Sequence, residues 1–214
     1  MKEYHKIEGL FKRDMEGNKK LIEGNFRNPI VEYLKNNKWI FGEKVDGTNI
    51  RIMWDGHKIT FNGRTDNAQL HGLLVERLNE LFINDETEEL FEEKFGETEV
   101  MLIGEGYGAG IQKGGDYIDE KDFILFDVCV GGVFLERENI EEIAKSFNLK
   151  IVPICPAKTI SEAIEFVKSK PLSAVGKCVK EIEGVVGTPT VRITDFRENR
   201  VIVKIKVKDF NQLK

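Results

Sequence analysis

At 214 residues, with 41% hydrophobic and 32% charged residues, the chain is long enough to bury a core without disulfide or metal staples. No apolar run approaches a membrane span and the charge-rich start lacks a signal peptide's apolar stretch, so no membrane association and a cytoplasmic location are expected. The net charge of -5 counts against a polyanionic partner only as an average: residues 76–99 hold ten acids against Arg77 and Lys94, whereas residues 192–214 hold seven basic residues against three acids.

In chain order, apolar residues at helical spacing predict helix over residues 28–35 and 69–95, the second carried by Leu70, Leu73, Leu74, Leu78, Leu81 and Phe82. Its acids read as a solvated helical face. Residues 39–41, 45–54 and 58–61 are β-rich or alternate, with Asp55-Gly56 as hairpin-turn chemistry before the last. Strands are predicted again at 100–104, 123–130 and 133–135, the last two joined by Gly131-Gly132. Shorter helices over 138–147 and 161–169 precede strands at 184–187, 191–193 and 201–207. Strands joined more often by turns than by helices predict an α+β fold of antiparallel sheets with flanking helices. A single domain over residues 1–214 is expected, with no oligonucleotide-binding domain after it, since the chain stops eight residues beyond Lys206.

Cys129, Cys155 and Cys178 are far apart and odd in number, and His5, His57 and His71 lack ligand spacing. Zinc, a redox pair and a histidine relay therefore have no support, and the thiols read as structural. The glycine-rich GEGYGAGIQKGG, residues 104–115, lacks the spacing of a dinucleotide fingerprint and the ending of a P-loop. It reads as a mobile loop that offers Gln112 and Lys113 to phosphates.

Three segments carry chemistry. In EKVDGTNIR, residues 43–51, Lys44 and Asp46 would share one strand face, and Gly47 allows a bend or a close backbone approach. Alone, this reads as a surface ion pair ahead of a catalytic one. EIEGVVG, residues 181–187, places Glu183 on the rim of an apolar strand. VIVKIKVKDF, residues 201–210, alternates Lys204, Lys206 and Lys208 with apolar residues, which by itself also describes a guarded edge strand.

Together the segments resemble, in chain order, motifs I, IV and V of the covalent nucleotidyltransferase superfamily of DNA ligases, RNA ligases and messenger RNA capping enzymes. Arg64 in NGRTDN resembles the arginine of motif Ia, Glu105 in IGEGYG motif III, and Phe126 in ILFDV motif IIIa. The resemblance spans residues 43–206. Asn49 stands where DNA ligases usually carry arginine, so the stretch from Lys44 to Asn49 looks most like RNA ligases that mend breaks in duplexed RNA. Arg51 lies two residues past that position.

The resemblance implies an adenylyltransferase domain in which Lys44 takes AMP from ATP, passes it to a 5′-phosphate, and a 3′-hydroxyl then displaces it. Attack needs a neutral amine, and at a reference pKa of ~10.4 only about one lysine in 2,500 is neutral at pH 7. Lys204, Lys206 and a bound Mg²⁺ (or Mn²⁺) would favour the neutral form. Glu183 and Glu105 are implied for metal-bound water or the ribose, Asp46 for the leaving or attacking group, and Arg64 for ribose and phosphate. Glu43 is implied at the purine edge through its backbone. Phe126 is implied to stack under adenine, although a core phenylalanine would look the same in sequence. The implied partner is RNA with 5′-phosphate and 3′-hydroxyl ends, duplexed, with a partner protein able to add RNA binding. The alternatives are a DNA ligase, a GTP-using capping enzyme, and a nucleotide- or RNA-binding module without turnover.

Overall fold

The structure is a computed structural model that describes residues 4–17, 20–112, 117–176 and 179–211. Its elements are, in chain order, β1 (Phe11–Arg13), β2 (Leu21–Phe26), α1 (Pro29–Tyr33), β3 (Trp39–Lys44), β4 (Thr48–Trp54), β5 (Ile59–Gly63), α2 (Gly72–Phe82), α3 (Asp85–Phe95), β6 (Val100–Gly108), β7 (Lys121–Val130), β8 (Val133–Phe134), α4 (Arg137–Ser146), β9 (Lys150–Ile151), α5 (Ile160–Lys168), β10 (Gly184–Pro189), β11 (Val203–Lys206) and α6 (Val207–Phe210). Among the described residues no helix is long and apolar enough to cross a membrane. The chain divides into two compact units, and one of its passages from one to the other lies between Val45 and Asp46.

The large-sheet unit is built mainly on Asp46–Val152. Its strands run β5-β4-β6-β7-β8, antiparallel throughout, and β9 adds to β7 in parallel. Ile50, Ile52 and Trp54 alternate onto one face of β4 and join Leu102, Phe123, Leu125 and Val128 in a core with Leu74, Leu78 and Phe82 of α2 and Phe91 of α3. Trp54 stacks on Phe91 at 5.6 Å, and its indole N–H donates to Gly96 O at 2.8 Å, which satisfies the one polar atom the burial would strand.

The small-sheet unit comprises Lys6–Val45, Pro153–Val175 and the chain from Val179 onward. Its three-stranded sheet runs β11-β10-β3, all antiparallel. Phe41, Val185, Val203 and Ile205 turn inward against Ile160, Ala163 and Val167 of α5. Helix α1 begins at Pro29 because Asn28 Oδ1 accepts from Ile30 N at 2.8 Å and proline lacks the N–H that the first turn cannot use.

Four expectations change. The helical signal over 69–95 breaks at Ile83-Asn84, where the Asn84 side chain accepts from Thr87 N at 2.9 Å and starts α3 afresh. Strand β3 ends at Lys44 and Asp46-Gly47 form a bend, so Lys44 and Asp46 do not share a strand face. Residues 191–193 form no strand and lead into a loop closed by the Thr194–Arg200 bridge. Strand β11 gives way to α6 at Val207, which takes Lys208 off the face of Lys204 and Lys206. Strands β1 and β2 were not foreseen, because their charged, short sequences carry little alternation.

Candidate active site

In the small-sheet unit the strand register gathers the three motif lysines. Gly184 pairs with Lys44 on one side and with Lys206 on the other, so those three residues form one rung across β3, β10 and β11; Val186 and Lys204 share the next rung but one on the same face. The inward alternation of Phe41, Val185, Val203 and Ile205 leaves the lysines on the opposite face. Two strand spacings put about 10 Å between the backbones of Lys44 and Lys206. Glu183, immediately before β10, closes that gap: its Oε2 accepts from Lys44 Nζ at 2.6 Å, and its Oε1 accepts from Lys206 Nζ. All three side chains are mostly buried, at 22%, 16% and 17% exposure for Lys44, Glu183 and Lys206.

Burial would push the Glu183 carboxyl up, but Lys44 and Lys206 together outweigh it and hold its pKa below the ordinary value. Lys204 is also lowered, first by burial and then by Lys206, Lys44 and Lys6, with Glu8 opposing. The unit thus sets Lys44 and Lys206 on one carboxylate, and Lys204 leaves an excess of positive charge on the same sheet face. That face suits a phosphate chain. Gly184 is required by packing, since a Cβ there would lie 2.1 Å from Ile205 O and 2.8 Å from Lys206 Cα.

Glu43 alternates to the side opposite Lys44 and is buried. Its carboxylate accepts from Ser173 Oγ and from Ala174 N at 3.0 Å, while its own N–H donates to Pro153 O at 2.8 Å. The side chain therefore anchors the segment before β10, a role that sequence reasoning missed. Nearby, burial and then Glu43 push the Cys155 thiol up to about 12, which keeps it inert, as a structural thiol should be. Cys129 is half-buried; Cys178 lies outside the described residues.

In the large-sheet unit, Asn49 and Arg51 occupy the face of β4 opposite Ile50 and Ile52. Asn49 pairs with Glu105 of β6, and Asn49 Oδ1 is buried with no hydrogen-bond partner among the described residues. Arg64 follows the last residue of β5 and is exposed. Asp46 N donates to Tyr117 Oη at 3.0 Å. Gly47 must be glycine, because a Cβ would lie 2.3 Å from Gly106 O and 2.8 Å from Glu105 Cγ.

Phe126 is settled by a β-bulge. Ile103 pairs with Asp127 but Gly104 with Leu125, so Phe126 is an extra residue in β7. Leu125 and Val128 both face the core, which leaves Phe126 and Asp127 off it. Its half-buried ring meets Tyr4 at 5.8 Å, and the Tyr4 phenol donates to Asp127 Oδ2 at 3.0 Å. Phe126 is therefore not the core phenylalanine that its sequence equally allowed.

Among the described residues no group of three or more His, Cys, Asp or Glu side chains is arranged to hold a metal ion. The donor set still fits Mg²⁺ or Mn²⁺, which uses one or two carboxylates and takes its remaining ligands from water and substrate phosphates. Glu183 and Glu105, the two acids expected to serve a metal, sit in different units. Of residues 104–115, the first five complete β6, Gln112 has a φ of 87°, and Lys113 lies outside the described residues.

A family model described as RNA ligase matches residues 37–206. Among solved structures, the chain is similar to Naegleria gruberi RNA ligase with PPi, at TM-score 0.64 and 19% identity over 86% of this chain and 54% of that one. Variants of the same protein with AMP and Mn (TM-score 0.64, 17% identity) and with ATP and Mn (TM-score 0.63, 18% identity) match over 87% of this chain and 54% of theirs. This chain thus spans about half the length of those structures, and at these identities the likeness is one of fold.

Proposed function

Because this chain belongs to the RNA ligase family, we propose that it is an ATP-dependent RNA ligase whose nucleophile is Lys44. The observation that carries the reading is the rung of Lys44, Gly184 and Lys206, bridged by Glu183, with Lys204 on the same face. In the first step Lys44 Nζ forms a bond to the α-phosphorus of ATP. The bond to pyrophosphate breaks and the amine gives up its proton to solvent. To react, Nζ must leave its ion pair with Glu183, and Lys204 and Lys206 remain to balance the charge on phosphate.

A divalent cation would supply further charge neutralisation on the leaving pyrophosphate, with Glu183 or Glu105 holding it through water. Arg64 and Glu105 are assigned to ribose and phosphate, Phe126 to adenine, and Asp46 to the leaving or attacking group. The AMP then passes to a 5′-phosphate, and a 3′-hydroxyl displaces it as the phosphodiester forms. The substrate is RNA, duplexed around the break. Basic side chains from Arg192 onward favour a phosphate backbone, and the same loop holds Phe196 at 89% exposure with the Arg197 guanidinium 5.1 Å over its ring, a pairing suited to an unpaired base.

The test is incubation with labelled ATP, GTP or NAD and Mg²⁺ or Mn²⁺, followed by denaturing electrophoresis. Label from ATP on wild type but not on Lys44→Ala is the expected result; label from GTP alone would select the capping alternative, and no label would reduce the chain to a binding module. Equal sealing of all-DNA and RNA-containing nicks would select the DNA ligase alternative.

A further inference from the structure

Arg51 is fully buried in the middle of an apolar strand, where a leucine or valine would avoid desolvating a cation. Two of its donors explain what it does there. Nε donates to Gly63 O at 2.8 Å and Nη2 to Asp66 Oδ1 at 2.7 Å. Those acceptors lie one residue before and two residues after Arg64, so the planar guanidinium grips the chain on both sides of that exposed arginine. The third donor, Nη1, is buried without a hydrogen-bond partner among the described residues. A side chain kept for stability alone would not strand a donor on a buried cation.

We propose that Arg51, acting with Asp66, is a positioning residue that sets the backbone from which Arg64 reaches the nucleotide. The role rests on the ligase reading above. A rigid mount matters because Arg64 carries a long side chain with high rotamer entropy; fixing its backbone removes part of the ordering cost when nucleotide binds. The Asp66 carboxylate is 66% exposed, so its pair with Arg51 adds little to stability, yet its loss frees one end of the grip. That separation makes Asp66 the useful handle, since replacing Arg51 itself would open a cavity in the sheet.

The experiment measures the ATP concentration for half-maximal Lys44 labelling, and the maximal rate, for wild type, Asp66→Ala, Asp66→Asn, Arg64→Ala and the Asp66→Ala/Arg64→Ala double variant. Asp66→Ala and Arg64→Ala should each raise the half-maximal concentration roughly tenfold with the melting temperature unchanged, and the double variant should be no worse than Arg64→Ala alone. Asp66→Asn, which keeps an acceptor oxygen, should recover most of the loss. An unchanged Asp66→Ala, or effects that multiply in the double variant, would overturn the role while leaving the ligase reading intact. A wild type that takes no label would remove both.

Discussion

The two units handle polar groups in opposite ways. In the small-sheet unit, charge is gathered and matched: Glu183 spends both oxygens on Lys44 and Lys206, and the surplus cation Lys204 sits on the same face. In the large-sheet unit, the candidate residues are spread along strand ends and a bulge, and two buried polar atoms, Asn49 Oδ1 and Arg51 Nη1, have no hydrogen-bond partner among the described residues. A clustered set of charges acts on a reacting phosphate through its field. A dispersed set, here Asp46, Asn49, Arg64, Glu105 and Phe126, offers single contacts at separate places instead. The contrast teaches where to look for separable effects: we propose that loss of the clustered lysines falls first on the Lys44 adenylate, and loss of Asn49 on the later steps.

The largest effect expected from breaking that division is at Lys44. Lys44→Ala should reduce AMP labelling more than about 10³-fold, read on a gel, with melting unchanged. Lys204→Ala should reduce labelling about 10²-fold; partial recovery at higher pH would assign it to favouring the neutral nucleophile, and none would assign it to phosphate binding. On the other side, Asn49→Ala should leave labelling within about threefold of wild type yet slow transfer or sealing at a nick about tenfold. Equal loss in both steps would erase the proposed division.

Smaller effects should appear in stability against pH. Glu183 is held below its ordinary value of 4.5, so the unfolded chain binds that proton more readily. The stability of its ionised form is whole above about pH 4.5 and is lost as pH falls through the lower folded value. Lys204 is held below 10.5, so its charged form is a burden at neutral pH that fades as pH rises through its folded value. Melting curves should therefore show Glu183→Gln less sensitive to acid than wild type, and Lys204→Met without the wild type's gain as pH rises towards 10.5. The smallest effect should come from Phe196→Ala, which we expect to weaken RNA binding a fewfold and leave labelling untouched, measured by filter binding across a salt series.

What the sequence determined by itself is whatever depends on neighbours along the chain. The alternation of Val203, Lys204, Ile205 and Lys206 foretold which side of β11 is polar, and Lys44, Glu183 and Gly184 were legible as motif residues. So were most helices and strands, because burial of one face imposes a period that survives in the residues. Tertiary structure alone decided the rest. Glu183 meets Lys44 across 139 positions, and only the β3-β10-β11 register makes that pair. Phe126 and Asp127 both stay off the core cluster because one inserted residue shifts the alternation of β7 between Leu125 and Val128, a shift that no local period announces. Arg51 gave one visible signal, a cation inside an apolar strand, but what it grips is set by where β5 ends. Periodicity records exposure to water and is local; hydrogen-bond partners and desolvated charges depend on which distant backbone arrives alongside, and that is fixed only when the sheets form.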